Sequence, residues 1–161
     1  MAEQPTQETI DQWHRRFAVE CNNRAWDLIS RSDRTPSEDR DLLYLAYASA
    51  FHWSKVGTPL HGARAEVTLA HAHALLGHGE MSLHYAQRCL AFFESNAGED
   101  WDIAFAQAEV AHAAAVLGDA ELHAKRYAAA KARGAAIKDD EDRRVFEEEL
   151  ARIPSQALAR R

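Results

Sequence analysis

Cysteine, proline and glycine are all scarce in this sequence. Among its 161 residues there are 2 Cys, 4 Pro and 7 Gly. Two cysteines are too few for the disulfide framework of a small secreted protein, and both lie in apolar helical stripes, where a thiol behaves as a small hydrophobic side chain. The shortage of glycine and proline leaves few residues that form β-turns, which argues against an all-β fold.

An excess of positive charge and long apolar runs are missing as well. The formal net charge is −6, from 19 basic and 25 acidic residues, so the chain has no positive field for a nucleic-acid backbone. No run approaches the roughly 18 apolar residues of a membrane span, and the first ten residues carry acids where a signal peptide has a basic stretch. The sequence therefore predicts a cytoplasmic protein with neither nucleic acid nor a membrane as a partner.

Motifs that carry catalysis or bind metals are also absent. There is no HExxH zinc motif, no Gly-x-Ser-x-Gly nucleophile elbow and no phosphate-binding loop. Glu109-x-x-His112 is the single Glu-x-x-His arrangement, whereas di-iron bundles need a second copy and two further glutamates. We therefore predict no catalytic residue, no cofactor and no metal ligand, and leave open whether His52, His71 and His112 converge on one ion.

Alanine is abundant instead. It occupies 32 of the 161 positions, and it is the strongest helix former. Because apolar residues recur at steps of three and four along most of the chain, we predict one all-α domain over residues 1–161, with about seven helices in stacked antiparallel hairpins. The predicted boundaries are 7–32 and 36–56 for an N-terminal helix pair, 59–95 and 100–137 for two repeat hairpins, 139–153 for a capping helix, and 154–161 for a frayed tail.

Several short segments predict where helices begin and end. The segment Thr35-Pro36-Ser37-Glu38 supplies an N-cap hydroxyl, a proline at the first helical position and a glutamate that closes a capping box. Thr58-Pro59 repeats the cap-then-proline pattern. We expect Gly57, just before it, to adopt a left-handed conformation at the end of the second helix, and Asp100 to cap the fifth helix.

The chain contains an internal repeat. Ala70-His-Ala-His-Ala-Leu-Leu-Gly77 aligns with Ala111-His-Ala-Ala-Ala-Val-Leu-Gly118, 41 residues later, and Glu80 then aligns with Glu121. Each copy predicts a helical hairpin in which small residues let two helices approach closely and a glycine forms the turn. Such a hairpin buries its apolar faces only when a neighbouring hairpin stacks on it.

The two hairpins resemble the tetratricopeptide repeat over about residues 60–137. The motif of that family places a leucine and a small residue on the first helix, a glycine at the turn, and small and aromatic residues on the second helix. The period here is 41 residues rather than about 34, neither first helix has an early tryptophan, and His123 occupies a position of a small residue. The matching residues are Leu69, Ala70, Gly77, Ser82, Cys89 and Leu90 in the first copy, and Val110, Ala111, Gly118, Tyr127 and Ala130 in the second.

The resemblance implies a right-handed stack whose first helices line a concave groove. The groove positions of the family correspond here to Arg64, His71, Ala74, Phe105, His112 and Ala115. The resemblance therefore implies a non-enzymatic scaffold that binds a protein or peptide segment. In that hypothesis Arg64 supplies charge, Phe105 supplies apolar area, and His71 and His112 supply hydrogen bonds.

Two other functions remain open. In His52-Trp53-Ser54-Lys55 a histidine and a cation flank an aromatic residue, which suggests a small-molecule or metal-binding bundle with a pocket around His52, Trp53 and Arg64. The simpler interpretation places Trp53 in the core and gives His52 a nearby hydrogen bond. Self-association as a homodimer is the third hypothesis, because a short stack of hairpins exposes apolar ends that a second copy can cover.

Overall fold

The protein is a stack of seven α-helices. The computed structural model describes residues 4–158, and this part of the chain contains no β-strand. The predicted all-α class and the number of helices are therefore confirmed. The helices are α1 Gln7–Ile29, α2 Pro36–Val56, α3 Pro59–Leu75, α4 Gly79–Ser95, α5 Asp100–Leu117, α6 Ala120–Ala135 and α7 Asp140–Arg152.

Each helix packs against the one before it, and a second set of contacts joins the odd-numbered helices. Helices α1, α3, α5 and α7 touch in that order, while α2, α4 and α6 each complete a hairpin with a neighbouring odd-numbered helix. Three apolar clusters follow one another along the stack, and α3 and α5 each contribute to two of them. This double packing explains why α3 and α5 are rich in alanine and are buried on almost every side.

The capping box predicted at the start of α2 is present. The Thr35 N–H donates to Glu38 Oε2 at 2.7 Å, and the Glu38 N–H donates to Thr35 Oγ1 at 3.3 Å. The first of these hydrogen bonds, together with the side chains of Arg31 and Thr35, lowers the pKa of Glu38 to about 2. The local sequence therefore fixes the beginning of this helix without help from the rest of the fold.

One prediction about a glycine and one about a helix cap were wrong. Gly57 ends α2 with φ −84° rather than in a left-handed conformation. Its role is a close approach, because a Cβ there would lie 2.7 Å from the carbonyl oxygen of Trp53. The N-cap of α5 is Glu99 rather than Asp100, and Asp100 Oδ2 instead accepts a hydrogen bond from the N–H of Lys138 at 2.9 Å, which ties the start of α5 to the segment before α7.

The ends of α1 and of the described chain also differ from expectation. Helix α1 stops at Ile29, three residues before the predicted boundary, and Arg34 Nη1 donates to the carbonyl of Leu28 at this end, at 3.1 Å. Residues 154–158 are not helical, but the N–H of Leu158 donates to the Ala115 carbonyl at 2.9 Å and so holds this segment against the end of α5. The rest of the predicted tail, residues 159–161, lies outside the described residues.

The 41-residue repeat is visible in the hydrogen bonds. The Ser82 hydroxyl on α4 donates to the carbonyl of Ala70 on α3 at 2.8 Å, and 41 residues later His123 Nδ1 on α6 lies 2.9 Å from the carbonyl of Ala111 on α5. His123 therefore occurs at a small-residue position because its ring makes the contact that the serine makes in the first copy. The two turn glycines, Gly77 and Gly118, both have positive φ, at 77° and 72°.

Helices α1, α2 and α5 have the length for a crossing, but no helix in residues 4–158 is apolar enough over that length to span a membrane.

Candidate functional site

A pocket of about 410 Å³ lies between the four odd-numbered helices. Most of its wall is apolar, and three aromatic rings contribute to it. We call this cavity the inter-helix pocket. It is lined by Asn22 and Trp26 from α1, Arg64, Val67 and Thr68 from α3, Trp101, Asp102 and Phe105 from α5, and Val145 and Glu149 from α7.

A salt bridge between α3 and α5 forms one side of the pocket. Arg64 donates from Nε and Nη2 to the two carboxylate oxygens of Asp102, both at 2.9 Å. The Arg64 guanidinium also lies over the ring of Trp101, 4.5 Å from its centre. The hydrogen bond that Arg64 donates to Asp102 raises the pKa of Arg64, and the two contacts hold the guanidinium in two-point geometry against the buried Asp102.

A short hydrogen-bond chain joins α1 to α3 on another side of the pocket. Trp26 Nε1 donates to the Thr68 hydroxyl at 3.1 Å, and this hydroxyl donates to Asn22 Oδ1 at 3.1 Å. The chain orients the indole of Trp26, which lies 5.4 Å from the ring of His71 and 6.4 Å from that of Phe105. These contacts give the aromatic wall a defined shape.

Glu149 is the acidic residue that α7 adds to the pocket. Its Oε1 accepts a hydrogen bond from Arg152 at 2.5 Å. Its Oε2 is buried and has no hydrogen-bond partner among the described residues. A buried carboxylate oxygen without a donor is unfavourable, so a donor group of a bound molecule would stabilise this arrangement.

A second group of polar side chains is buried on α3 and α5, just beyond the residues of these helices that line the inter-helix pocket. His71 Nδ1 and Glu109 Oε1 are 2.8 Å apart, and the rings of His71 and His112 are 5.1 Å apart. Burial lowers the pKa of His71, but the charge and hydrogen bond of Glu109 outweigh burial and leave that pKa raised. Burial and the neighbouring charges of His71 and His123 lower the pKa of His112 to about 3. Glu109 thus favours the protonated form of His71, whereas burial keeps His112 neutral at neutral pH.

The structure separates the six predicted binding residues into three groups. Arg64 and Phe105 line the inter-helix pocket, and His71 and His112 are buried beyond it, at 2% and 5% exposure. The two imidazoles therefore do not face solvent as side chains of an open groove do.

His52 and Trp53 do not line the inter-helix pocket. His52 Nδ1 instead lies 2.7 Å from Nδ1 of His14 on α1, and Trp53 stacks on His61 with ring centres 4.2 Å apart. Both contacts belong to the packing of α2 against its neighbours. Of the three residues predicted to surround a pocket, His52, Trp53 and Arg64, only Arg64 lines the inter-helix pocket.

Sequence reasoning did not pair Arg64 with Asp102 or His71 with Glu109, although it had singled out Glu109 for its spacing to His112. The repeat aligned Arg64 with Phe105 and His71 with His112, 41 residues apart, but the stacked helices place each basic residue against the acid 38 residues later. The difference of three residues is one helical turn. The sequence did contain a signal for these pairs. Arg64 and His71 are seven residues apart, and an acidic residue follows each of them 38 positions later.

The chain was also compared with protein families, with curated proteins and with solved structures, and none of the three comparisons found a match. Functional inference therefore rests on the inter-helix pocket and on the buried group beside it.

Proposed function

We propose that this protein binds a small molecule with an aromatic or apolar body and a hydrogen-bond donor group in the inter-helix pocket. The observation that carries the proposal is an apolar cavity of about 410 Å³ into which four helices bring a few polar groups. That size lies in the range of about 300–1,000 Å³ typical of small-molecule sites.

The walls determine the kind of ligand body that fits. Trp26, Trp101 and Phe105 offer ring faces and edges, which favour stacked or edge-on contacts with another aromatic group. Arg64 and Asp102 already satisfy each other through two hydrogen bonds. An unpaired charge on the ligand is therefore not required at that side of the pocket.

Glu149 determines the polar group. Because its buried Oε2 lacks a donor, the pocket favours an N–H or O–H group of the ligand at this position, and an amine most of all. A carboxylate ligand would meet like charge there and bind more weakly.

The hypothesis of a peptide-binding groove remains a prediction, as does the absence of enzymatic activity. The inter-helix pocket lies on the odd-numbered helices, which is the side that the tetratricopeptide resemblance assigns to a peptide. A small-molecule site is favoured over a peptide groove because the polar groups converge within one cavity, and because His71 and His112 are buried.

A fragment screen by thermal unfolding tests the proposal. Aromatic amines should raise the melting temperature of the protein, and the matching aromatic carboxylates should not, because binding to the folded state adds stability in proportion to affinity. Val145→Trp, which places a large ring at the pocket wall, should abolish the shift. Val19→Trp is the matched control, since Val19 is equally exposed, at 44% against 45%, and lies outside the pocket.

Two results would contradict the proposal. One is that no fragment raises the melting temperature of the unaltered protein. The other is that Val145→Trp and Val19→Trp respond to the same fragments by the same amount, which would place binding elsewhere. Glu149→Gln refines the assignment, because a neutral amide should reduce the preference for amines over carboxylates.

A further inference from the structure

Three potential metal-binding side chains are buried together between α3 and α5. His71, Glu109 and His112 are each 5% exposed or less. One donor atom from each residue lies within 4.8 Å of a donor atom from the other two. Glu109 and His112 are three residues apart and so share one face of α5, while His71 reaches them from α3. We call these residues the buried triad.

The hydrogen bonds within the triad leave two polar atoms unsatisfied. Glu109 Oε1 has a partner in His71 Nδ1, at 2.8 Å. Glu109 Oε2 and His112 Nδ1 are both buried and have no partner among the described residues. An ordinary buried ion pair satisfies its remaining lone pairs with further donors, because each unpaired buried polar atom costs about 1–3 kcal/mol. The His71–Glu109 pair alone therefore does not account for this arrangement.

The position of the His112 ring suits metal coordination. Its Nδ1 is buried without a hydrogen-bond partner among the described residues, so this nitrogen can offer a lone pair to a metal ion. The charged groups that act on the triad from other helices are Glu149 and Arg152 on α7, which influence His71 with opposite sign, and His123 on α6, which influences His112.

We propose that His71, Glu109 and His112 form a binding site for one divalent transition-metal ion. Two imidazoles and one carboxylate are the protein ligands of a class of zinc sites that keep a fourth position open, and the same set of donors suits Fe²⁺. The ion takes the place of the proton held between His71 and Glu109, and that proton is released to solvent. Neither step requires the ligand proposed for the inter-helix pocket.

The geometry requires only small movements. Ligands about 2.1 Å from a tetrahedral zinc ion are about 3.4 Å from one another. Donor atoms within 4.8 Å reach that spacing by approaching about 1.4 Å at most, and His71 Nδ1 and Glu109 Oε1, which are 2.8 Å apart, reach it by separating about 0.6 Å. The site borders the inter-helix pocket, because Trp26 in the pocket wall packs on His71 with ring centres 5.4 Å apart.

Zinc titration tests the site directly. The full-length protein, stripped with a chelator and freed of any tag, is titrated with Zn²⁺ in competition with a chromophoric chelator. We expect one tightly bound equivalent. His112→Ala should weaken binding by about 100-fold or more, since even changes to groups behind the ligands cost 10–100-fold. His52→Ala is the matched control, because His52 is also paired with a residue 38 positions away, and it should bind zinc as the unaltered protein does.

Two results of the zinc titration would overturn the proposed metal site. Several weak equivalents that decrease with His52→Ala would identify an adventitious ion only and would overturn the proposal, as would unchanged binding by His112→Ala. If circular dichroism shows that His112→Ala does not fold, X-ray absorption of the zinc-loaded unaltered protein decides. Two imidazoles and a carboxylate oxygen around zinc support the triad, and any other number of imidazoles contradicts it.

Discussion

Two histidine contacts in this protein link residues that are 38 positions apart, and they have opposite character. His14 and His52 join α1 to α2 through two imidazole nitrogens 2.7 Å apart. His71 and Glu109 join α3 to α5 through an imidazole and a carboxylate oxygen 2.8 Å apart. The first contact is partly exposed, and the second is buried among apolar side chains.

The chemistry of the partner and the depth of burial decide what each histidine does. Burial lowers the pKa of His52, and the neighbouring His14 lowers it further, so the neutral form of His52 is favoured. Glu109 does the reverse for His71, since its negative charge outweighs the cost of burying a cation. One contact thus favours the neutral form of His52 at a helix interface, and the other is a buried histidine–carboxylate pair beside unpartnered polar atoms.

Removing one histidine from each contact should give the largest difference. His71→Ala leaves the carboxylate of Glu109 buried without its partner, and we expect a loss of about 3–5 kcal/mol in the free energy of unfolding. His52→Ala should cost about 1 kcal/mol or less, because its side chain is only partly buried. Urea unfolding at pH 7 in the presence of a chelator measures both values without a contribution from metal.

A double substitution shows whether the loss comes from the broken pair. His71→Ala combined with Glu109→Leu removes both charges, and it should recover part of the stability that His71→Ala alone loses. Equal losses for His71→Ala and His52→Ala, or no recovery in the double variant, would show that the buried pair contributes no more than the pair near the surface.

The contact of Ser82 with α3 provides a buried interaction of intermediate size. Its hydroxyl donates to the Ala70 carbonyl at 2.8 Å inside the hairpin, and that carbonyl belongs to a helix. We expect Ser82→Ala to lower the free energy of unfolding by about 1 kcal/mol, the usual net value of a hydrogen bond. Urea unfolding measures this loss. Ser54→Ala is the control, because the Ser54 hydroxyl donates to the carbonyl of Phe51 within one exposed helix end. A loss as large as that of His71→Ala would contradict this ranking.

Much of the fold was predictable because its signals are local. Thr35, Pro36 and Glu38 define the start of α2 through contacts within four residues, and that boundary was predicted correctly. The 41-residue repeat likewise predicted the hairpins, and the equivalent contacts of Ser82 and His123 agree with it.

The site was less predictable because it depends on how helices from different hairpins stack. Arg64 and Phe105 occupy equivalent positions in the two copies and both line the inter-helix pocket. Their partners follow from an offset of one turn between stacked helices, which a repeat alignment does not contain. Glu149 lies outside the repeat altogether, so only the packing of α7 brings it to the pocket.

The smallest expected effect is the pH dependence of the pair near the surface. The pKa of His52 is lowered from its usual 6.5 in the folded protein, so below about pH 6.5 the unfolded chain binds protons that the folded chain does not. The stability that His52 contributes is therefore present at pH 8 and is lost as the pH falls below about 6.5 and through the lowered pKa of the folded state. His52→Asn, which keeps a polar side chain without this titration, should reduce the difference between the urea midpoints at pH 8 and pH 5. An unchanged difference would mean that other groups account for the acid sensitivity, and the contrast between the two histidine contacts would then rest on burial alone.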